Sequence, residues 1–299
     1  MRLSLGPILF FWPRQTAEDF YRQQVNSPLE VIYLGETVCA KRRNLKPADW
    51  IELARELAAS GKQIVLSTLA LIEAGSDLSA IRRLCQNGEL LVEANDIGAV
   101  QLMADQKLPF VAGPSLNIYN AYTLNTLYRQ GMQRWVMPVE LNAEVLGDIL
   151  SDAESLGIGD KIETEVFSFG HLPLAYSARC FTARFHNIPK DHCEFVCQDY
   201  PEGLPMDTQE GVEFFNINGI QTQSGRIQHL LPYWRQMREL GVDLMRISPL
   251  AQNTGEIIGR YRQVLEGATD DTSIDHCLSA PTCDGYWRRQ PGMDSIAAG

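Results

Sequence analysis

The chain has 299 residues, of which 45% are hydrophobic and 21% charged, a composition that excludes an intrinsically disordered protein. Its formal net charge of −11 argues against a nucleic-acid backbone or an anionic membrane surface as the main partner. No apolar run reaches the roughly eighteen residues that a transmembrane helix requires.

Short apolar segments alternate with segments of helical periodicity along most of the chain. Eight segments have the apolar, β-branched character of strands: 3–10, 30–35, 63–69, 90–95, 109–116, 134–140, 162–167 and 242–247. The apolar N-terminus, residues 1–12, lacks a small-residue cleavage site. We therefore expect a buried strand there rather than an export signal, and a cytoplasmic protein.

Helices are predicted after most of these strands. One begins at Thr16, and the others are predicted at 47–60, 78–87, 97–106, 117–130, 143–156, 228–240 and 255–265. This alternation predicts an α/β fold, a TIM-like (β/α) barrel of parallel strands. A doubly wound open sheet is the alternative, but no glycine-rich phosphate loop follows an early strand.

The alternation breaks between about residues 170 and 225. This segment contains three of the seven cysteines and a predicted β-hairpin at 212–223, whose turn is Asn218-Gly219. We expect a barrel domain over residues 1–270 that includes this cysteine-bearing insertion before its last unit. Residues 271–299 are expected to form a C-terminal tail.

The insertion places Cys180, Cys193 and Cys197 within eighteen residues. Thiolates at such spacing can bind one soft metal centre. The fourth ligand could be His186, His192, a non-protein group or a residue distant in sequence.

The predicted barrel offers a distant ligand, because side chains at the C-terminal ends of its strands share one face. Cys39 follows the second strand, so we expect it to meet the three insertion cysteines there. The basic run 41–43 beside it is either a solvated surface or an offset to the charge of bound thiolates. The other residues at strand ends are Glu36, Thr68, Asn95, Asn117, Glu140, His171 and Ser248.

The cysteine pattern alone permits an iron–sulfur cluster, a four-cysteine zinc site or buried structural thiols. Seven cysteines in a chain without an export signal indicate reduced thiols. Cys85 lies in a predicted helix and is expected to pack in the core. Cys277 and Cys283, with His276 nearby, could form a second metal or redox site, but we expect exposed tail thiols.

His171 and Glu165 are the candidate acid–base residues, because both flank the end of the seventh strand near the expected barrel mouth. The alternative for His171 is a hydrogen-bonded residue beside a structural turn.

Three segments resemble the collagenase-like peptidase family U32: Glu93-Ala-Asn-Asp-Ile-Gly98, Gly113-Pro-Ser-Leu-Asn117 with Asn120, and Glu165-Val-Phe-Ser-Phe-Gly170. The family pattern runs Glu-x-Phe-x-x-Gly-Ser/Ala-x-Cys, followed by a second cysteine. Here His171 replaces the small residue, Pro173 replaces the first cysteine, and Cys180 matches the second. This departure resembles the UbiV branch of the family.

The resemblance implies a [4Fe–4S] cluster bound by Cys39, Cys180, Cys193 and Cys197. It implies a heterodimer with the homologous subunit UbiU and oxygen-independent hydroxylation of a ubiquinone precursor, free or on a lipid-carrier protein. The oxygen donor would be prephenate rather than dioxygen. The alternatives are a peptidase-like hydrolase, although no Ser-His-Asp or His-Glu-x-x-His motif is evident, and a zinc-stapled, non-catalytic partner subunit.

Overall fold

Eight parallel strands close into a barrel in the computed structural model, which describes residues 1–278 and 280–295. Within that part of the chain the strands are β1 Arg2–Leu5, β2 Val31–Leu34, β3 Gln63–Ser67, β4 Leu91–Ala94, β5 Phe110–Ala112, β6 Met132–Val136, β7 Glu163–Tyr176, β8 Leu204–Asp207, β9 Glu213–Asn218, β10 Gln221–His229, β11 Leu244–Ile247 and β12 Thr282–Cys283. Strands β1 to β7 follow one another around the barrel, and β11 closes it by pairing with both β1 and β7. The predicted TIM-like barrel is confirmed.

The described α-helices surround the barrel and bury their apolar faces against it, except the short seventh helix, which packs within the insertion. They are α1 Arg14–Gln24, α2 Pro47–Ala58, α3 Gly75–Cys85, α4 Ile97–Asp105, α5 Ala121–Arg129, α6 Ala143–Ser155, α7 Phe181–Phe185, α8 Trp234–Leu240 and α9 Thr254–Leu265. Helix α2 shows why they form: Pro47 occupies its first turn, and the Asp49 carboxylate accepts the Lys46 N–H at 2.7 Å. Trp50 and Leu57, which lie two turns apart on one face, are buried. No described helix is long and apolar enough to cross a membrane.

Strand β7 is much longer than predicted, with 14 residues, and connects the barrel to an antiparallel extension of the same sheet. Its first half lies in the barrel, and its second half pairs antiparallel with β10, which pairs with β9, which pairs with β8. The strand leaves the barrel at Gly170, where φ is +126° and a β-carbon would lie 2.6 Å from Ser248 Cβ. We call residues 170–229 the cap.

The predicted helix at 228–240 is wrong at its start. Residues 228 and 229 belong to β10, and the helix begins only at Trp234. Strand β10 is rich in polar residues, among which Gln221 and Gln223 are fully buried between β7 and β9. A strand of this composition has no apolar alternation and is missed by a pattern search. The hairpin turn is also displaced by one residue, because Asn218 pairs with Gln221 and the loop is 219–220.

The described part of the tail packs against the barrel and the cap. Strand β12 pairs in parallel with β10, with Gln228 opposite Cys283. Ile274 and Trp287 are buried on either side of this strand. Cys277 and Cys283 are buried too, so the expectation of exposed tail thiols is wrong. A few apolar side chains suffice to bury a segment whose composition is mostly polar.

Candidate metal centre

Cys39 lies in a loop shaped by the carboxylate of Glu36. The backbone N–H groups of Val38 and Cys39 donate to Glu36 Oε1 at 2.9 and 3.0 Å, which turns the chain sharply after β2. The half-buried Cys39 packs with Cys180 against a small apolar cluster that contains Leu9 and Val38. The loop after the second strand therefore lies against the insertion.

Cys180 caps the short helix α7 at the end of the β7 segment. Its Sγ accepts the Ala183 N–H at 3.4 Å. Helix α7 is attached to the hairpin loop, because the Phe181 N–H donates to the Gly219 carbonyl at 2.9 Å and the Gly219 N–H donates to Thr182 Oγ1 at 3.0 Å. The position of Cys180 is thus fixed by the turn between β9 and β10.

Cys193 directly follows one turn of 3₁₀ helix, Lys190–His192, and Cys197 lies within the next one, Val196–Asp199. Phe195 between them has a left-handed backbone with φ of +60°, and its N–H donates to Cys193 Sγ at 3.4 Å. Its ring packs 5.8 Å from that of Phe11, on the loop after β1. This contact ties the cysteine loop to the barrel mouth.

Arg42 is the buried cation beside the thiols. Its Nη1 donates to the Leu9 carbonyl at 2.7 Å and its Nη2 to Asn218 Oδ1 at 2.6 Å. Glu36 lies 3.8 Å from Nη1. Burial raises the pKa of Cys39 to about 11 and also raises the pKa of Cys197, whereas the positive charge of Arg42 lowers both. Of the two interpretations of the basic run 41–43, an offset to thiolate charge agrees with the buried position of Arg42.

The four cysteines are electrostatic neighbours. The Cys180 thiolate raises the pKa of both Cys39 and Cys197, and Cys193 also raises that of Cys197. Sulfur atoms from two distant segments thus converge, and the Arg42 guanidinium acts on two of them, those of Cys39 and Cys197. Such a donor set suits a soft metal centre, and the arginine charge would stabilise its bound thiolates.

Glu165 lies in the barrel interior rather than at the mouth. Its carboxylate accepts from Ser4 Oγ at 2.7 Å, Tyr33 Oη at 2.5 Å and Arg246 Nε at 2.6 Å. Ser4 and Tyr33 lie on β1 and β2, which do not pair with β7, so these two contacts cross the barrel, whereas Arg246 lies on the neighbouring strand β11. Burial would raise the pKa of Glu165, but the charges of Arg246 and Arg134 lower it below its ordinary value.

His171 is not beside Glu165. It lies within β7 and lines a cavity of about 310 Å³ between the cap and the tail, together with Glu202 and Phe215. Its Nδ1 lies 2.8 Å from the Ser224 carbonyl, which favours the tautomer with a proton on Nδ1 and a free Nε2. Burial lowers the pKa of His171, so the ring is neutral near pH 7.

The residues predicted at strand ends divide between two parts of the barrel mouth. Asn117 and Glu140 line a cavity of about 240 Å³ that Tyr176 borders. Asn95 lies deeper, where its Nδ2 donates to the Thr68 carbonyl at 3.0 Å. These positions follow from the strand order, since each residue comes directly after a barrel strand.

Sequence reasoning missed the charged network beneath the mouth. Arg246 Nη1 lies 2.8 Å from Glu93 Oε1, and Arg134 Nη1 donates to Tyr33 Oη at 2.8 Å. A charged residue within an otherwise apolar strand, as Arg246 is in β11, is the signal that could have indicated it. A strand of a parallel barrel is buried on both faces, so a charged side chain within it requires buried partners of opposite charge.

Solved structures with similar architecture have very different sequences. Dihydropteroate synthase from Thermus thermophilus matches with a TM-score of 0.42 and 11% identity, over 88% of this chain and 94% of that chain. A putative dihydrodipicolinate synthetase from Pseudomonas aeruginosa matches with a TM-score of 0.47 and 9% identity, over 89% and 77%. An uncharacterized protein from Clostridium thermocellum that binds two copies of 5-methyl-5,6,7,8-tetrahydrofolic acid gives 0.46 and 10%, over 89% and 95%.

The sequence itself gives the clearer relationship. The family model described as Peptidase family U32 matches residues 16–287, which include every barrel strand except β1 as well as all four converging cysteines. This range is most of the chain, and the chain belongs to peptidase family U32.

Proposed function

We propose that this protein is the iron–sulfur subunit of an oxygen-independent hydroxylation system that acts on a ubiquinone precursor ring, as a heterodimer with the homologous subunit UbiU. Family membership over residues 16–287 supports the general assignment. The resemblance to the UbiV branch supplies the specific chemistry. The observation that carries the proposal is the convergence of Cys39 with Cys180, Cys193 and Cys197.

A four-cysteine zinc site would use the same ligands, because one zinc ion at about 2.3 Å from each sulfur holds four sulfurs roughly 4 Å apart. Among the described residues, no three of these sulfurs lie within 4.8 Å of one another. The resemblance to the UbiV branch, which implies a [4Fe–4S] cluster with one thiolate per iron, is what favours iron–sulfur over zinc.

A bound [4Fe–4S] cluster would supply one-electron transfer, and the chain would set its surroundings. Cys39, Cys180, Cys193 and Cys197 would be the ligands, and Arg42 would place one fixed positive charge beside them. Phe11 and Phe195 would restrict water access from one side. Fixed charge and restricted water access are among the factors that set the reduction potential of a cluster.

The proposed acid–base residues differ in access. His171 lines a cavity and has a free Nε2, so we propose it as the group that accepts or delivers a proton. Glu165 is fully enclosed and holds Arg246 in place, which suits a positioning role. Proton transfer by His171 requires the reacting ring to lie in the same cavity, so the proposed location of the substrate ring is the cavity that His171 lines with Glu202 and Phe215.

Exposed apolar side chains on the cap support a partner subunit there. They are Phe181, Phe185, Phe195, Met206, Val212 and Phe214. Six large apolar residues concentrated in one insertion exceed the scattered exposure that is ordinary for a monomer. A heterodimer with UbiU would cover them together with the cysteine loop.

Metal analysis tests the cluster assignment. Protein purified anaerobically should contain about four irons and four sulfides per chain. Cys39→Ala should lose most of both, whereas the matched control Cys85→Ala, at a buried cysteine in α3, should retain them. Full iron content in Cys39→Ala would contradict the proposed ligand set. One zinc and no iron per chain in the wild-type protein would favour the alternative, a non-catalytic partner subunit that is stabilised by zinc.

Co-purification tests the heterodimer. Phe185→Asp, at an exposed cap residue, should reduce the fraction of UbiU that elutes with this chain at least about tenfold. Tyr122→Asp, at a similarly exposed residue of α5, is the control and should leave it unchanged. A chain that stays monomeric with UbiU present would rule the heterodimer out.

The peptidase-like alternative is less well supported. A nucleophilic hydrolase needs a Ser or Cys side chain within hydrogen-bond reach of a His. Within the described residues, the hydrogen bond of the His171 ring goes to a backbone carbonyl, that of Ser224.

A further inference from the structure

A second group of potential metal ligands lies where the tail meets the last barrel helix. It consists of Glu256 in the first turn of α9 and of His276 and Cys277 in the 3₁₀ turn Asp275–Cys277. One ligand atom from each residue lies within 4.8 Å of the other two. Among the described residues, these three are the group whose ligand atoms lie close enough together to bind a single ion.

The fold holds the two segments together before any ligand is considered. Asn253, which precedes α9 with a left-handed φ of +60°, donates from Nδ2 to the Cys277 carbonyl at 2.9 Å. The Cys277 N–H donates to the carbonyl of the buried Ile274 at 2.8 Å. The backbone of Cys277 is therefore fixed against the start of the helix that carries Glu256.

The geometry leaves one side of the group closed and the other open. Cys277 is 6% exposed, whereas the side chains of His276 and Glu256 are 56% and 57% exposed. An ion bound here would be coordinated by the Cys277 sulfur on the side of the protein interior and by water on the side of the solvent. Three protein ligands and one open position are a common arrangement for zinc.

The ligand types and distances suit a thiophilic divalent cation. His276 Nε2 lies 2.9 Å from Glu256 Oε1. Zinc binds both atom types at about 2.0–2.2 Å, so two such atoms on one ion lie roughly 3 Å apart. A thiolate and a carboxylate together would balance the double charge of the ion.

We propose that Glu256, His276 and Cys277 form a second metal site for a zinc-like divalent cation, which fastens the tail to α9. Cys277 loses its proton to solvent when the ion binds, and no oxidation or reduction is involved. The site is separate from the four converging cysteines and does not depend on their function. Beyond Cys277 the tail continues into β12, which pairs with the cap strand β10. By fixing the tail, the ion would therefore also stabilise this strand pair.

Cobalt titration tests the site, because Co²⁺ replaces zinc and a thiolate bound to it gives a charge-transfer absorption. The protein is used with its iron as purified anaerobically, and iron is assayed before and after the titration. Wild type should bind one more Co²⁺ per chain than Cys277→Ser, and the thiolate absorption should disappear in that variant. Zn²⁺ should displace the bound Co²⁺.

His276→Asn is the second variant, since its exposed position leaves the fold intact. It should weaken Co²⁺ binding at least about tenfold, as should Glu256→Gln. Cys85→Ser, which alters a buried thiol elsewhere, should bind as wild type does. Equal Co²⁺ binding by wild type, Cys277→Ser and His276→Asn would overturn the site, as would an equal loss in Cys85→Ser.

Discussion

The barrel interior and the contact between the β2 loop and the cap both bury arginine side chains, but the charge is neutralised differently in the two places. Arg246 in the barrel lies 2.6 Å from Glu165 and 2.8 Å from Glu93, both on barrel strands. Arg42, in the β2 loop against the cap, has one carboxylate, Glu36, at 3.8 Å, and its charge also acts on the thiols of Cys39 and Cys197. The barrel thus contains the counter-charges of Arg246, whereas the positive charge of Arg42 acts on the proposed metal ligands. We expect the barrel to fold without metal and the cap to depend on it.

The largest expected effect tests the barrel half of this comparison. Arg246→Met leaves Glu165 and Glu93 buried without their main partner, which should lower the free energy of unfolding by about 3–5 kcal/mol. Denaturant unfolding measures it. The control Arg235→Met removes an exposed ion pair with Asp270 and should change stability by at most about 1 kcal/mol. Similar losses in both variants would show that the barrel network is not the stabilising element proposed.

Arg42→Gln tests the cap half. Asn218 Oδ1 loses its donor and the Leu9 carbonyl keeps only the one from Asn218 Nδ2, so stability should fall by about 2 kcal/mol. Iron content should fall by more than half, because the thiolates lose their neighbouring positive charge. Metal analysis and denaturant unfolding check both effects. Arg43→Gln, at the exposed adjacent residue, should keep its iron; equal iron in both variants would contradict the role of Arg42.

Metal removal should separate the two regions. After iron is chelated under anaerobic conditions, backbone amides at 180–200 should exchange hydrogen at least about tenfold faster, since the two 3₁₀ turns have few backbone hydrogen bonds of their own. Amides in β2 to β6 should exchange at unchanged rates. Hydrogen exchange with mass spectrometry measures both. Equal acceleration in the barrel strands would mean that the barrel also depends on the metal.

The smallest expected effect concerns pH. Burial lowers the pKa of His171 in the folded protein, so around and below pH 6.5 the unfolded chain binds more protons and stability falls as pH falls. His171→Gln should therefore lose less stability than wild type between pH 7.5 and pH 5.5, values chosen to span about one unit on either side of the free histidine pKa. Denaturant unfolding at the two pH values checks this. His192→Gln, at an exposed histidine, should follow wild type; if it flattens the profile equally, His171 is not the responsible group.

The sequence was informative wherever apolar runs report burial on both faces of a strand. All eight barrel strands were predicted for that reason, and the barrel in turn brought Cys39 to the insertion. The predicted hairpin at 212–223 included only the first residues of β10, and its continuation to His229 was not predicted. The buried glutamines of this strand satisfy one another and their neighbours through hydrogen bonds that no hydrophobic pattern records, such as Gln221 Nε2 to Tyr176 Oη at 2.8 Å. The separation of His171 from Glu165 was missed because the seventh strand was predicted to end at residue 167, whereas β7 continues to Tyr176.

The continuity of β7 limits how the cysteine-bearing part of this chain can be inherited or engineered. A module inserted between two barrel strands can usually be exchanged at its two boundary loops. Here the seventh strand of the barrel and the first strand of the cap are one unbroken segment, Glu163–Tyr176, with a sharply positive φ at Gly170. Transplanting the cysteines to another barrel would require that strand and its glycine to move with them.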